Sequence, residues 1–128
     1  MEWLVLIGRI LYSMIFVLFG LNHILKLSDM AGYAASQGVP APTVATIITG
    51  IMLVLGGLSV LLGYKARIGS LLLVIFLIPT AFIMHNFWSF NDPMMASNQM
   101  AHFMKNLALA GSALLIYYFG TGPKSLES

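Results

Sequence analysis

The sequence predicts an all-α fold: a four-transmembrane-helix bundle with a short interfacial helix between helices 1 and 2. Three observations carry this. Of 128 residues, 59% are hydrophobic and only 8% charged, against about 25% charged in a soluble domain, so the solvent for most of the surface is lipid. Apolar runs recur at the length of about 20 residues that crosses the hydrocarbon as a helix. The polar segments between them are short and carry helix-stop and helix-start residues. The length suits one domain, 1–128.

The first span covers about 3–25. Its apolar run exceeds the roughly 7–15 residues of a signal-peptide core and lacks a basic leader and a clear A-x-A site, so it reads as a retained helix. At about 100° per residue, Arg9, Ser13, Phe16, Gly20 and His23 form one stripe. Small and polar groups gain nothing from lipid, so this stripe faces the bundle. Arg9 has two readings, a cation snorkelling to the interface or a functional intramembrane group. The connection 26–42, KLSDMAGYAASQGVPAP, holds the interfacial helix, with Ser28 or Asp29 as its cap and Gly38 and Pro40 as its stop. Such a helix lies over one mouth of the bundle, as a connector or a lid.

The second span covers about 43–62. Its Thr46, Gly50, Gly56 and Gly57 let neighbouring backbones approach closely. The turn GYKAR is tight, which makes spans two and three antiparallel neighbours. The third span covers about 66–88, with a kink expected at Pro79. Asp92-Pro93 reads as a cap and first helical residue, starting a long fourth helix whose membrane-crossing part is about 97–119. The tail GTGPKSLES is polar and expected to be mobile.

Lysine and arginine in short loops set orientation. Lys65, Arg67 and Lys124, with Arg9 nearby, outweigh Lys26 and Lys105, which puts both termini in the cytoplasm. Antiparallel spans then bring His23, His85 and His102 to the extracytoplasmic mouth. His102, Lys105 and Asn106 share a helix face at i, i+3, i+4, and His23 and Lys26 are three apart. Asn86 and Trp88 follow His85 directly. The candidate ligand-binding set is therefore His23, Lys26, His85, Asn86, Trp88, His102, Lys105 and Asn106.

The residues alone leave three readings of this set. A three-histidine metal site has suitable ligands, but the adjacent lysines repel a cation and no in-span carboxylate helps, so no metal is assigned. A site for a quinone carbonyl or a small anion suits the histidine, lysine and asparagine donors. The third reading is structural: the groups cap helix ends and pair with Asp29, Asp92 or lipid headgroups. Met94, Met95, Met100 and Met104 are read as packing material rather than copper ligands. There is no cysteine, which excludes disulfides and thiol chemistry. No haem or flavin motif is evident, so no intrinsic cofactor is expected. No basic stripe suggests nucleic acid.

The chain resembles the DoxX family (the DoxX/DoxD-like group). The likeness is carried by GRILYSMIFVLFGLNHILKLSDMAGYAASQGVP, then ATIITGIMLVLGGLSVLLGYKARIGS, then HNFW and FMKNLALAG. The matching positions are Arg9, Gly20, His23, Lys26, Gly38, Pro40, His85, Asn86, Trp88, Lys105 and Asn106; His102 comes from topology alone. The resemblance implies a four-helix protein of the bacterial cytoplasmic (inner) membrane, linked to respiratory or sulfur redox chemistry through quinone. It transfers no catalytic list, and enzyme activity of the chain by itself stays undecided. Besides the lipid bilayer, it leaves room for a redox partner subunit and for homo-oligomers. The alternative function is a non-enzymatic scaffold or assembly subunit for a larger partner.

Overall fold

The computed structural model describes residues 2–126, which form helices and turns with no strand among them. In order these are α1 (Glu2–Leu25), α2 (Leu27–Ser36), α3 (Pro42–Leu62), α4 (Ala66–Met84), a 3₁₀ turn (Phe87–Ser89) and α5 (Pro93–Phe119). Three helical stretches, Glu2–Leu25, Pro42–Leu62 and Ala66–Ser89, are long and apolar enough to cross a membrane. The fourth long helix, α5, has 27 residues and a lower apolar content, with its polar residues gathered in the first half.

The helices pack in a ring. Helix α1 lies on α3, α3 on α4 and α4 on α5. The Tyr12 hydroxyl closes the ring by donating to the Leu109 carbonyl of α5 at 2.7 Å. Phe16, Leu53, Val60, Leu73, Leu77, Ala110 and Ala113 fill the centre. The predicted stripe on α1 is the buried one: Arg9, Ser13, Phe16 and Gly20 are its buried residues. At the α1–α3 crossing, a Cβ on Gly20 would sit 2.8 Å from the Gly50 carbonyl oxygen. That contact needs hydrogen on both sides, which is the use of small residues where lipid supplies no hydrophobic drive.

Several boundaries differ from the sequence reading. Helix α2 has no side-chain cap from Ser28 or Asp29; it starts directly after Lys26, which is the N-cap residue and makes no side-chain cap bond. The hydrogen-bond ladder passes through the corner, since Lys26 N–H donates to Asn22 O and Met30 N–H donates to Lys26 O. Helix α4 stops at Met84 rather than near Trp88, because His85 and Asn86 leave the helical region and the chain tightens into the 3₁₀ turn. Trp88 packs there against Phe82, Phe87 and Phe103. The start of α5 is as the sequence indicates, with Asp92 accepting from Met94 N–H at 3.2 Å.

The tail is the largest departure. Within the tail expected to be mobile, residues 121–125 wrap around Arg9, while Glu127 and Ser128 lie outside the described residues. Its guanidinium donates to the carbonyls of Thr121 (2.8 Å), Pro123 (3.0 Å) and Lys124 (2.6 Å), and to Ser125 Oγ. Leu126 N–H then donates to Leu62 O at 2.9 Å, and Lys124 Nζ sits 4.6 Å above the Trp3 ring. A planar fork with five donors can serve several carbonyls at once. Arg9 is thus only 6% exposed, and its four contacts replace the carboxylate that a buried cation ordinarily requires.

Candidate functional site

The end of the bundle away from Arg9 holds a cavity of about 620 Å³. Position 23 is 14 residues along α1 from position 9, about 21 Å at the helical rise. The cavity lies between α1, α3, α4 and α5, and α2 covers it with Asp29, Met30, Tyr33 and Ala34. Tyr33 OH donates to the Met84 carbonyl at 3.3 Å, tying the cover to the end of α4.

Five of the residues singled out in the sequence line this one cavity: His23, His85, His102, Lys105 and Asn106. The other candidates lie elsewhere. Lys26 is exposed at the α1–α2 corner, Asn86 and Trp88 are outside the lining, and Arg9 is at the opposite end.

Each lining group is held differently. His23 Nδ1 lies 3.2 Å from Thr46 O and 3.1 Å from Thr49 Oγ on α3. A carbonyl only accepts, so Nδ1 carries the proton. The Thr49 hydroxyl directs its own proton to Ala45 O at 2.8 Å, which leaves its oxygen free to accept from the imidazole. His85 Nδ1 bonds Gln99 Oε1 at 2.8 Å, and its ring stacks on His102 with centroids 5.1 Å apart. Lys105 Nζ lies 5.3 Å from the Phe19 ring centroid, a cation–π distance. Asn106 is 3% exposed and lines the cavity.

Among the described residues, neither Asp29 nor Asp92 forms an ion pair with the lysines or histidines of the cavity. Asp92 is used as the α5 cap, Asp29 lines the cavity, and the one ion pair among the described residues joins Lys124 and Glu2 at the other end. No group of three or more His, Asp or Glu among the described residues is placed to hold a metal ion. The remaining walls are apolar, including Met52, Ile75, Phe76 and Ile83.

Sequence reasoning passed over Thr49, Tyr33 and Phe76. Thr46 and Thr49 are three apart on α3, a spacing that puts them on one face, and that was the available signal. Phe76 meets His23 edge-on at 6.0 Å, a contact that depends on tertiary structure alone.

Fold and site together define a small helical membrane protein with an amphipathic cavity at one end of its bundle. The chain belongs to the DoxX family: the family profile matches residues 4–86. It is 34% identical to the inner membrane protein YphA of Escherichia coli K12 over 97% of this chain and 88% of that protein. It is 32% identical to the inner membrane protein YqjF of the same organism, over 96% of this chain and 88% of that one. No solved structure matches it.

Proposed function

We propose that this chain is a small inner-membrane subunit of a quinone-linked oxidoreductase system, and that the cavity is where quinone binds. The observation that carries this is a cavity whose wall sets the Asn106 amide among largely apolar side chains. The amide N–H groups can donate to an oxygen atom of an occupant. Lys105 stands beside it as a second donor, while Met52, Ile75 and Phe76 suit an apolar ring or chain. A small inorganic anion would use the donors and waste the walls, so an amphiphile fits better. The volume lies within the roughly 300–1,000 Å³ of small-molecule sites.

The chain has no cysteine, so in this reading electrons reach a bound quinone from a bound cofactor or a partner subunit rather than from a thiol. Lysine and arginine favour the Arg9 end, which places that end in the cytoplasm and the cavity on the far side.

The test is ligand content. Protein purified from native membranes in mild detergent is extracted and its quinone quantified against protein. Near-stoichiometric quinone in the wild type, lost in Asn106→Leu with the helical content unchanged, is the expected result. Absence of quinone from the wild type, together with no uptake of added quinone, overturns the reading in favour of a scaffold subunit.

A further inference from the structure

We infer that the cavity prefers the reduced, hydroxyl-bearing form of its occupant, a hydroquinone head on an apolar body, over the dicarbonyl form. This rests on the reading of the cavity as a quinone site and assigns which redox form it selects.

The argument is a count of donors and acceptors. With Nδ1–H of His23 committed to Thr46 O and Thr49 Oγ, the neutral ring presents Nε2 to the cavity as a lone pair. His85 repeats the arrangement, since its Nδ1–H is committed to Gln99 Oε1. Two residues from separate parts of the chain are thus held in the same tautomer by acceptor oxygens, Thr46 O and Gln99 Oε1, as a hydrogen bond at one ring nitrogen fixes the role of the other. The Asp29 carboxylate on the cover is a third acceptor facing the same space. Against these stand the donors Lys105 Nζ and the Asn106 NH2, while the Asn106 carbonyl adds an acceptor and the Thr80 hydroxyl one group of both kinds. His102 supplies one nitrogen of either kind.

A quinone has carbonyl oxygens only. It satisfies Lys105 and Asn106 but sets its lone pairs against those of His23, His85 and Asp29. A hydroquinone has two hydroxyls, each able to donate to an imidazole Nε2 while accepting from the ammonium or the amide. Its two O–H groups serve two of the acceptors while its oxygens accept from the donors, so it leaves fewer polar groups opposed than the quinone does. Sites that hydrogen-bond a substrate hydroxyl discriminate strongly against the analogue lacking it, because the site's own polar groups are otherwise left unpaired.

The experiment uses the purified full chain in lipid nanodiscs, titrated calorimetrically under argon with decylubiquinol and separately with decylubiquinone. Tighter binding of the quinol by about tenfold is expected, the worth of one hydrogen bond retained rather than lost. His23→Phe keeps a ring and removes the acceptor, and it should bring the two forms to within about threefold by weakening the quinol arm alone. The quinone arm shows that the cavity is intact. If that variant does not fold, His85→Phe carries the same expectation. Equal binding of the two forms by the wild type, or tighter binding of the quinone, overturns this inference and leaves the proposed function standing. Failure of both forms to bind overturns both.

Discussion

Replacing Arg9 by methionine tests what holds the end of the chain to the bundle. The side chain has similar length and lipid compatibility, but it deletes all four contacts to Thr121, Pro123, Lys124 and Ser125. A hydrogen bond to a charged group is worth about 1.5–3 kcal/mol net; three of the contacts share the two hydrogens of Nη1, so the equivalent of three bonds sets a ceiling near about 4.5–9 kcal/mol. The ceiling is not reached. The wild-type cation is costly to bury, and the freed carbonyls can swing out to water, so we expect a loss of about 3 kcal/mol, the typical cost of breaking a buried polar network. The loss should be local. The sensitive reporter is the Leu126 amide, bonded to Leu62 O at 2.9 Å, whose exchange with deuterium requires the tail to lift. A drop of about 3 kcal/mol in opening free energy accelerates that exchange by about 10²-fold, while amides in the middle of α3 and α4 stay protected. Arg9→Lys keeps the charge and loses the planar fork, so it should fall between the two. Unchanged exchange at Leu126, or equal acceleration throughout the bundle, would refute the assignment of Arg9 as the tail's anchor.

Gly20→Ala should lower thermal stability by about 1–3 kcal/mol, measured by detergent melting, because its Cβ meets Gly50 O at 2.8 Å and Val54 N at 2.9 Å; Gly8→Ala, whose Cβ meets nothing within 4 Å, is the matched control. Asp92→Ala should cost about 1 kcal/mol through loss of the α5 cap, visible as faster amide exchange at Met94 with the far end of α5 unaffected. Tyr33→Phe removes the bond from α2 to Met84 O and should speed ligand release several-fold with melting changed by less than about 1 kcal/mol, read by stopped-flow displacement. In intact cells, a cysteine at Ser97 should react with an impermeant maleimide and one at Tyr64 should not; the reverse pattern inverts the assigned orientation.

The chain's periodicity made the buried face of α1 legible. Arg9, Ser13, Phe16 and Gly20 differ in chemistry but share a helical angle, and angle decides burial. The α5 start was equally plain, because Asp92-Pro93 combines a cap with a fixed φ. The span expected at 66–88 matches the apolar stretch Ala66–Ser89, but its α-helical part ends at Met84, because the 3₁₀ turn keeps apolar residues, Phe87 and Trp88, and apolarity does not report backbone geometry. The tail was misjudged for a related reason. Its side chains are polar and suggest water, but Arg9 uses mainly its backbone carbonyls, which composition cannot reveal. Within the cavity, His23 and His85 could be named from topology, whereas their contacts to Thr46 O and Gln99 Oε1, which set the imidazole tautomers, depend on which helix faces which.

The corner at Lys26 has a mechanical result. Because amide bonding continues from Asn22 to Met30 across that single residue, the α2 roof is a lever rigidly joined to the terminal turn of α1. His23 sits in that turn. A displacement of α2 is therefore passed to the turn in which His23 is held by Thr46 and Thr49.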